Sequence, residues 1–177
     1  GDWFNRLDWT YETNNFGVGL PPSGDNSSQW DVMRPILSNP EYKPGTEDIL
    51  MDMLAFREML TIRYSSPLFR LRTADEIQAR LSFANAGPEQ IPGVIVMSLS
   101  DTVGENLDPQ YAQIVVVFNG GDEAVNFTDG SYAGSAFELH PTLQASVDSV
   151  MSTAVFDAAT GTFSVPALTT AVFVLPE

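Results

Sequence analysis

The chain has 177 residues, 44% of them apolar and 11% aromatic, which is enough to bury a solid core and too hydrophobic for a disordered tail. Its formal net charge of -15 opposes nucleic acid and anionic lipid, whereas a neutral ligand such as a sugar does not feel that field. The absence of cysteine excludes disulfides, thiolate catalysis and Cys-based zinc sites, and no apolar run is long enough to insert in a membrane.

The first 45 residues are dominated by turn chemistry: Asn14-Asn15, Gly17, Gly19, Pro21-Pro22, Gly24-Asp25-Asn26 and Asn39-Pro40. Trp30, Met33 and Leu37 recur at helical spacing and predict a short helix from Ser28 to Leu37. Thr46 can cap a longer helix running to Tyr64. Glu47 and Asp48 complement its dipole, and Ser66-Pro67 stop it. Leu50, Met53, Leu54, Leu60 and Tyr64 are read as its buried stripe.

A short helical turn at Thr73–Ile77 precedes eight strand-like runs: 80–83, 94–99, 114–118, 124–127, 136–139, 154–156, 162–165 and 171–175. Turn signals separate them, among them Gly120-Gly121-Asp122, Asp129-Gly130 and Thr160-Gly161, so an antiparallel β-sandwich is expected. All eight basic residues lie at or before Arg80, which marks a shift in composition between the two parts. An all-acidic second part suits a secreted or salt-exposed surface. The start, Gly-Asp-Trp-Phe, reads as a processed end or a cut in a longer protein, with any targeting segment upstream.

Catalytic constellations are sparse. His140 is the only histidine and has no Gly-x-Ser-x-Gly elbow beside it, so a packed or surface role is expected. Asp101, Glu105 and Asp108 lack the alternation and central Gly of a calcium loop and read as a solvated acidic loop. The sequons at Asn26 and Asn126 matter only in a source that glycosylates. The richest stretch is Asp2-Trp3-Phe4-Asn5-Arg6, which combines aromatic faces with a carboxylate, an amide and a guanidinium. Sugar recognition needs that mixture, but a local ion pair beside a buried Trp uses the same residues.

The runs Gly1 to Tyr11, Asn14 to Pro22, Ile62 to Leu71, Gly87-Pro88, Pro92 to Ser98 and Thr169 to Val174 together resemble pullulanases and limit dextrinases of the alpha-amylase superfamily. The likeness runs in order along nearly the whole chain. It implies a mixed α and β fold: residues 1–67 as the last helical and loop segment of a (β/α)8 barrel, and residues 68–177 as a C-terminal antiparallel β-sandwich. It also implies a parent enzyme that hydrolyses α-1,6 linkages in pullulan, limit dextrins and amylopectin. The family's Asp nucleophile, Glu acid/base and second Asp belong to earlier barrel strands, so the isolated chain is expected to be inactive.

Asp2 and Arg6 match the family's Asp and Arg four residues apart that hold glucose units on the non-reducing side of the cleavage point. Asn5 and Trp3 are lesser substrate-binding candidates. The implied partner is an α-glucan bound through the parent barrel. No cofactor is implied, and calcium in the parent enzyme stays open. The resemblance implies secretion or the cell surface for a bacterial source and a plastid for a plant. Two further readings remain on the residues alone. One is a free-standing carbohydrate-binding or structural β module. The other is a protein-interaction domain, for which the extended likeness would have to be accidental. All three tryptophans lie in the first part, which argues against a dedicated sugar platform on the β domain.

Overall fold

The computed structural model describes Trp3 and residues 6–177. Contacts divide the chain into a first unit that ends at Phe56 and a second from Arg57 to Glu177, with the boundary inside a long helix. In the first unit, α1 (Ser23–Asn26) and a 3-10 turn (Ser27–Gln29) lead into α2 (Trp30–Leu37). The expected helix over Ser28–Leu37 is thus an α-helix entered through a 3-10 turn. Its Trp30, Met33 and Leu37 form the half-buried face, while Val32 and Ile36 are exposed. The Trp30 indole N–H donates to the Pro21 carbonyl at 2.9 Å, which seats the helix on the preceding loop.

α3 (Thr46–Ser65) confirms the predicted long helix, but the stripe read from sequence is only partly its buried face: Leu50, Met53 and Leu54 are half-buried. Leu60 and Tyr64 are exposed, together with Phe56; Ile62 is buried and Met59 packs against the core beside it. The reason is geometric. Apolar residues surround the helix, so spacing alone does not choose which side meets the β domain. After a 3-10 segment (Pro67–Arg70), α4 runs from Ala74 to Arg80, longer than the turn expected at 73–77. A capping box starts it: Thr73 Oγ1 accepts from Glu76 N at 3.2 Å, and Glu76 Oε2 accepts from Thr73 N at 3.1 Å.

Each of the eight strand-like runs is a strand: β1 (Leu81–Phe83), β2 (Val94–Ser100), β3 (Tyr111–Asn119), β4 (Val125–Thr128), β5 (Glu138–Leu139), β6 (Val155–Asp157), β7 (Thr162–Val165) and β8 (Thr169–Pro176). All pairings are antiparallel. A five-stranded sheet has the order β1-β2-β3-β8-β5, and a three-stranded sheet the order β4-β7-β6. A short α5 (Pro141–Gln144), unexpected from sequence, follows β5, with His140 as its N-cap.

The core lies between these layers. Val115 pairs with Phe173 and Val117 with Ala171, so these side chains share one face of the large sheet. The Phe173 ring meets Phe163 of β7 at 5.0 Å, joining the two sheets. On the opposite face, Met97 and Leu99 line a small depression with Leu68, Phe69, Leu71 and Ile77, so the helical segment covers that side. Both faces are therefore dry at the centre of β3. That explains why Ile114, Val115, Val116 and Val117 form an unbroken apolar run instead of alternating. Gly161, at φ 72°, lets the β6–β7 turn pass so close that a Cβ would lie 2.3 Å from the Asp129 carbonyl.

Candidate functional site

The sugar-binding candidates cluster at the start of the first unit. Asp2 and Asn5 lie outside the described residues. Trp3 is half-buried, and its indole N–H is enclosed without an acceptor among the described residues. Arg6 is exposed and stands at the rim of an open depression of about 490 Å³, whose walls include Trp9, Thr13, Asn14 and Asn15.

This depression is built by a tight loop closed by a bridge between Leu7 and Asn14. Asp8 organises the loop from within. One carboxylate oxygen accepts from Thr10 N at 2.8 Å and from the Thr10 hydroxyl; the other accepts from Thr13 N at 3.0 Å and from the Thr13 hydroxyl. These bonds, the Thr10 hydroxyl first and then that of Thr13, hold the Asp8 carboxyl far below the usual carboxylate range. Tyr11 takes a positive φ of 60° to complete the turn, and its N–H donates to the Asp8 carbonyl at 3.2 Å. Trp9 projects from the loop, 97% exposed. Sequence reasoning did not single out Trp9 or Asp8. The available signal was the spacing of Asp8, Thr10 and Thr13, an acceptor followed by two hydroxyls within reach of one turn.

The residues weighed for other chemistries have different fates. Asp101 and Asp108 are not part of a solvated acidic loop: both are buried, and only Glu105 of the trio is exposed. Arg80 donates to Asp101 Oδ1 and, at 2.6 Å, to the Glu105 carbonyl. Asp101 Oδ2 accepts from Leu107 N at 2.8 Å and Asp108 N at 2.6 Å. The last basic residue of the chain thus neutralises a buried carboxylate and ties down the loop after β2. Among the described residues, no group of three or more His, Asp or Glu is placed to hold a metal ion.

His140 is packed, at 3% exposure. Its Nδ1 accepts from Thr142 N at 3.2 Å, which leaves Nε2 to carry the proton toward Ser65 Oγ at 3.0 Å. Ser65 Oγ in turn donates to the Ile62 carbonyl at 2.7 Å. In this tautomer the imidazole cannot accept the serine proton, so the pair is a structural tie and not a nucleophilic dyad.

The family model of pullulanase-type alpha-1,6-glucosidases, C-terminal, matches residues 11–176. Pullulanase 1, chloroplastic, from Arabidopsis thaliana is 46% identical across 98% of this chain, which spans 18% of that protein. A pullulanase from Klebsiella pneumoniae is 31% identical across 100% of the chain, which spans 16% of its length. Among solved structures, the maltotriose complex of PulA from Klebsiella pneumoniae superposes with a TM-score of 0.86 at 32% identity, covering 100% of this chain and 19% of that one. With the antiparallel sheets and the sequence matched along nearly its full length, the chain belongs to the pullulanase-type alpha-1,6-glucosidase C-terminal family.

Proposed function

We propose that the chain is the C-terminal part of a starch-debranching glycoside hydrolase that cleaves α-1,6-glucosidic linkages in pullulan, limit dextrins and amylopectin. The observation that carries this reading is the 46% identity with a plant pullulanase over 98% of the chain, of which the chain makes up only 18%. The reacting carboxylates then belong to the larger remainder, and this part closes the catalytic body and adds sugar contacts through Asp2 and Arg6, with Asn5 and Trp3 as lesser contributors.

The thin burial of the first unit supports its assignment to a larger body. Val18, Val32, Ile36 and Tyr42 are all exposed, as are Phe56, Leu60 and Tyr64 along α3. A helix with apolar residues on two sides is suited to lie between two bodies, here the β domain and the wall of a (β/α)8 barrel. On this reading the barrel ends near residue 67 and the β-sandwich begins at 68. A chloroplastic relative supports a plastid setting for a plant source, and for a bacterial source the proposed setting is secretion or the cell surface.

Reducing-sugar release from pullulan tests the reading. The longer enzyme containing this chain should hydrolyse pullulan, and the 177-residue chain alone should not. Turnover by the purified chain would overturn the placement of the carboxylates elsewhere. An inactive longer enzyme would sink the debranching assignment and favour a free-standing binding or structural module.

A further inference from the structure

We propose that Asn119-Gly120 is a self-modification site gated by the fold: closed in the native β domain, and converted on unfolding to a residue that the domain no longer accepts. It is the one Asn-Gly pair of the chain. Glycine after asparagine lets the backbone nitrogen reach the side-chain amide freely, since no Cβ stands in its way. The Gly120 nitrogen attacks Asn119 Cγ and forms a five-membered imide. The side-chain nitrogen leaves as ammonia, taking up the Gly120 amide proton. Water then opens the ring at either carbonyl and gives aspartate or its β-linked isomer. No electrons are transferred, and solvent water is the sole co-reactant.

The folded chain holds both reacting groups apart. β3 pairs Asn119 with Val94 on one side and Thr169 on the other, which keeps its backbone extended. The Gly120 N–H donates to the Gly93 carbonyl at 2.9 Å, and Asn119 Oδ1 accepts from Gly121 N at 3.0 Å. The attacking nitrogen and the amide it must attack are thus each bound elsewhere. Asn119 is 4% exposed, and further chain around the domain can only bury it more deeply.

The same contacts reject the product. Asn119 Nδ2 donates to the Glu123 and Pro166 carbonyls, both at 2.8 Å, and more weakly to the Val165 carbonyl at 3.4 Å. These bonds join the end of β3 to the β3–β4 turn and to the end of β7. An aspartate would set a carboxylate oxygen against those carbonyls, and residues 81–177 supply no Lys or Arg to offset it. A buried acceptor facing acceptors, with its charge uncompensated, is strongly destabilising. The β-linked isomer would add a backbone atom at the end of β3 and shift its register. The fold therefore protects the residue, and conversion of the residue makes unfolding one-way.

The test ages the 177-residue chain in warm, mildly alkaline buffer, folded in one sample and unfolded in urea in another. Position 119 is then read by peptide mass mapping with an assay for β-linked aspartate. Conversion should run about tenfold or more faster in urea. Equal rates in the two samples overturn the gate. Gly120→Ala, compared in urea where folding plays no part, should convert several-fold more slowly. An unchanged rate there overturns the route through the Gly120 nitrogen. Asn119→Asp is itself one of the two products, and at neutral pH it should unfold at clearly lower urea than the parent chain or fail to fold. A parent-like midpoint would show that the domain accepts the product and would sink the one-way consequence.

Discussion

His140 Nε2 lies 3.0 Å from Ser65 Oγ, joining the end of β5 to the last turn of α3 across 75 residues of sequence. A second tie acts beside it: Glu58 of α3 accepts from Ser146 Oγ at 2.7 Å and Val147 N at 2.9 Å. Together they fasten α3 to the β domain through polar groups placed around an apolar contact at Ile62.

The first tie makes stability depend on pH. Burial pushes the His140 imidazole below its ordinary value of 6.5, since a charged ring is poorly solvated there. Protonation would also put a hydrogen on Nδ1, facing the Thr142 N–H. Between 6.5 and the lowered folded value, the unfolded chain binds more protons than the folded one. The contribution is therefore complete above that ordinary value and is lost as pH falls through the window. Urea midpoints measured at about pH 8 and about pH 5 should fall on acidification in the parent chain, and by visibly less in His140→Gln. Equal slopes would show that other groups set the dependence.

Arg80 and Asp101 form the buried ion pair of the β domain, with both side chains almost wholly enclosed. Removing one partner strands the other charge, so Arg80→Met or Asp101→Leu should each cost about 3–5 kcal/mol. The double variant should recover part of that loss. Chemical denaturation of all four chains gives the coupling energy, and simple additivity would argue against a direct tie.

Gly161→Ala should destabilise the β6–β7 turn by about 2–4 kcal/mol, because it combines a positive φ with a clash against backbone. Gly134→Ala offers a control at a positive φ with open space around the Cβ position, and should cost about 1 kcal/mol. Thermal melts of the two variants separate clash from conformation.

In the longer enzyme, Asp2→Ala and Arg6→Ala should each lower kcat/KM on pullulan by roughly five- to hundredfold, the worth of one charged hydrogen bond to a sugar hydroxyl. Circular dichroism of the same samples should be unchanged. Unaltered kinetics in both variants would return the pair to a local ion pair without a ligand.

Much of the fold was legible along the chain. Eight β-branched and aromatic runs bounded by Gly and Asp turns became eight strands, and Ser66-Pro67 stop α3 as expected, but Thr46 is its first residue and the capping position is Gly45, whose carbonyl accepts from Ile49 N at 3.2 Å. The misses share a cause. α5 is only four residues long, too short for any periodicity to register. Arg80 was read into a strand because the apolar run begins beside it, but the helix keeps it as its last residue. Asp101 and Asp108 looked solvated because acidic residues in a Gly-containing loop usually are; the counter-charge of Asp101 lies 21 residues upstream, and Asp108 is buried accepting from Gln110 N at 2.9 Å.

The sequence by itself determined the family, the strand inventory and the expectation of sugar chemistry near Arg6, since those depend on residue type and short spacing. Only the tertiary structure decided which side of α3 is buried, which carboxylate meets Arg80, that His140 is a tie to Ser65, and that Trp9 stands free beside Arg6. Periodicity says which residues are able to be buried. What each one meets is set by contacts between segments far apart in the chain, and those exist only once the sheets have paired and α3 has docked.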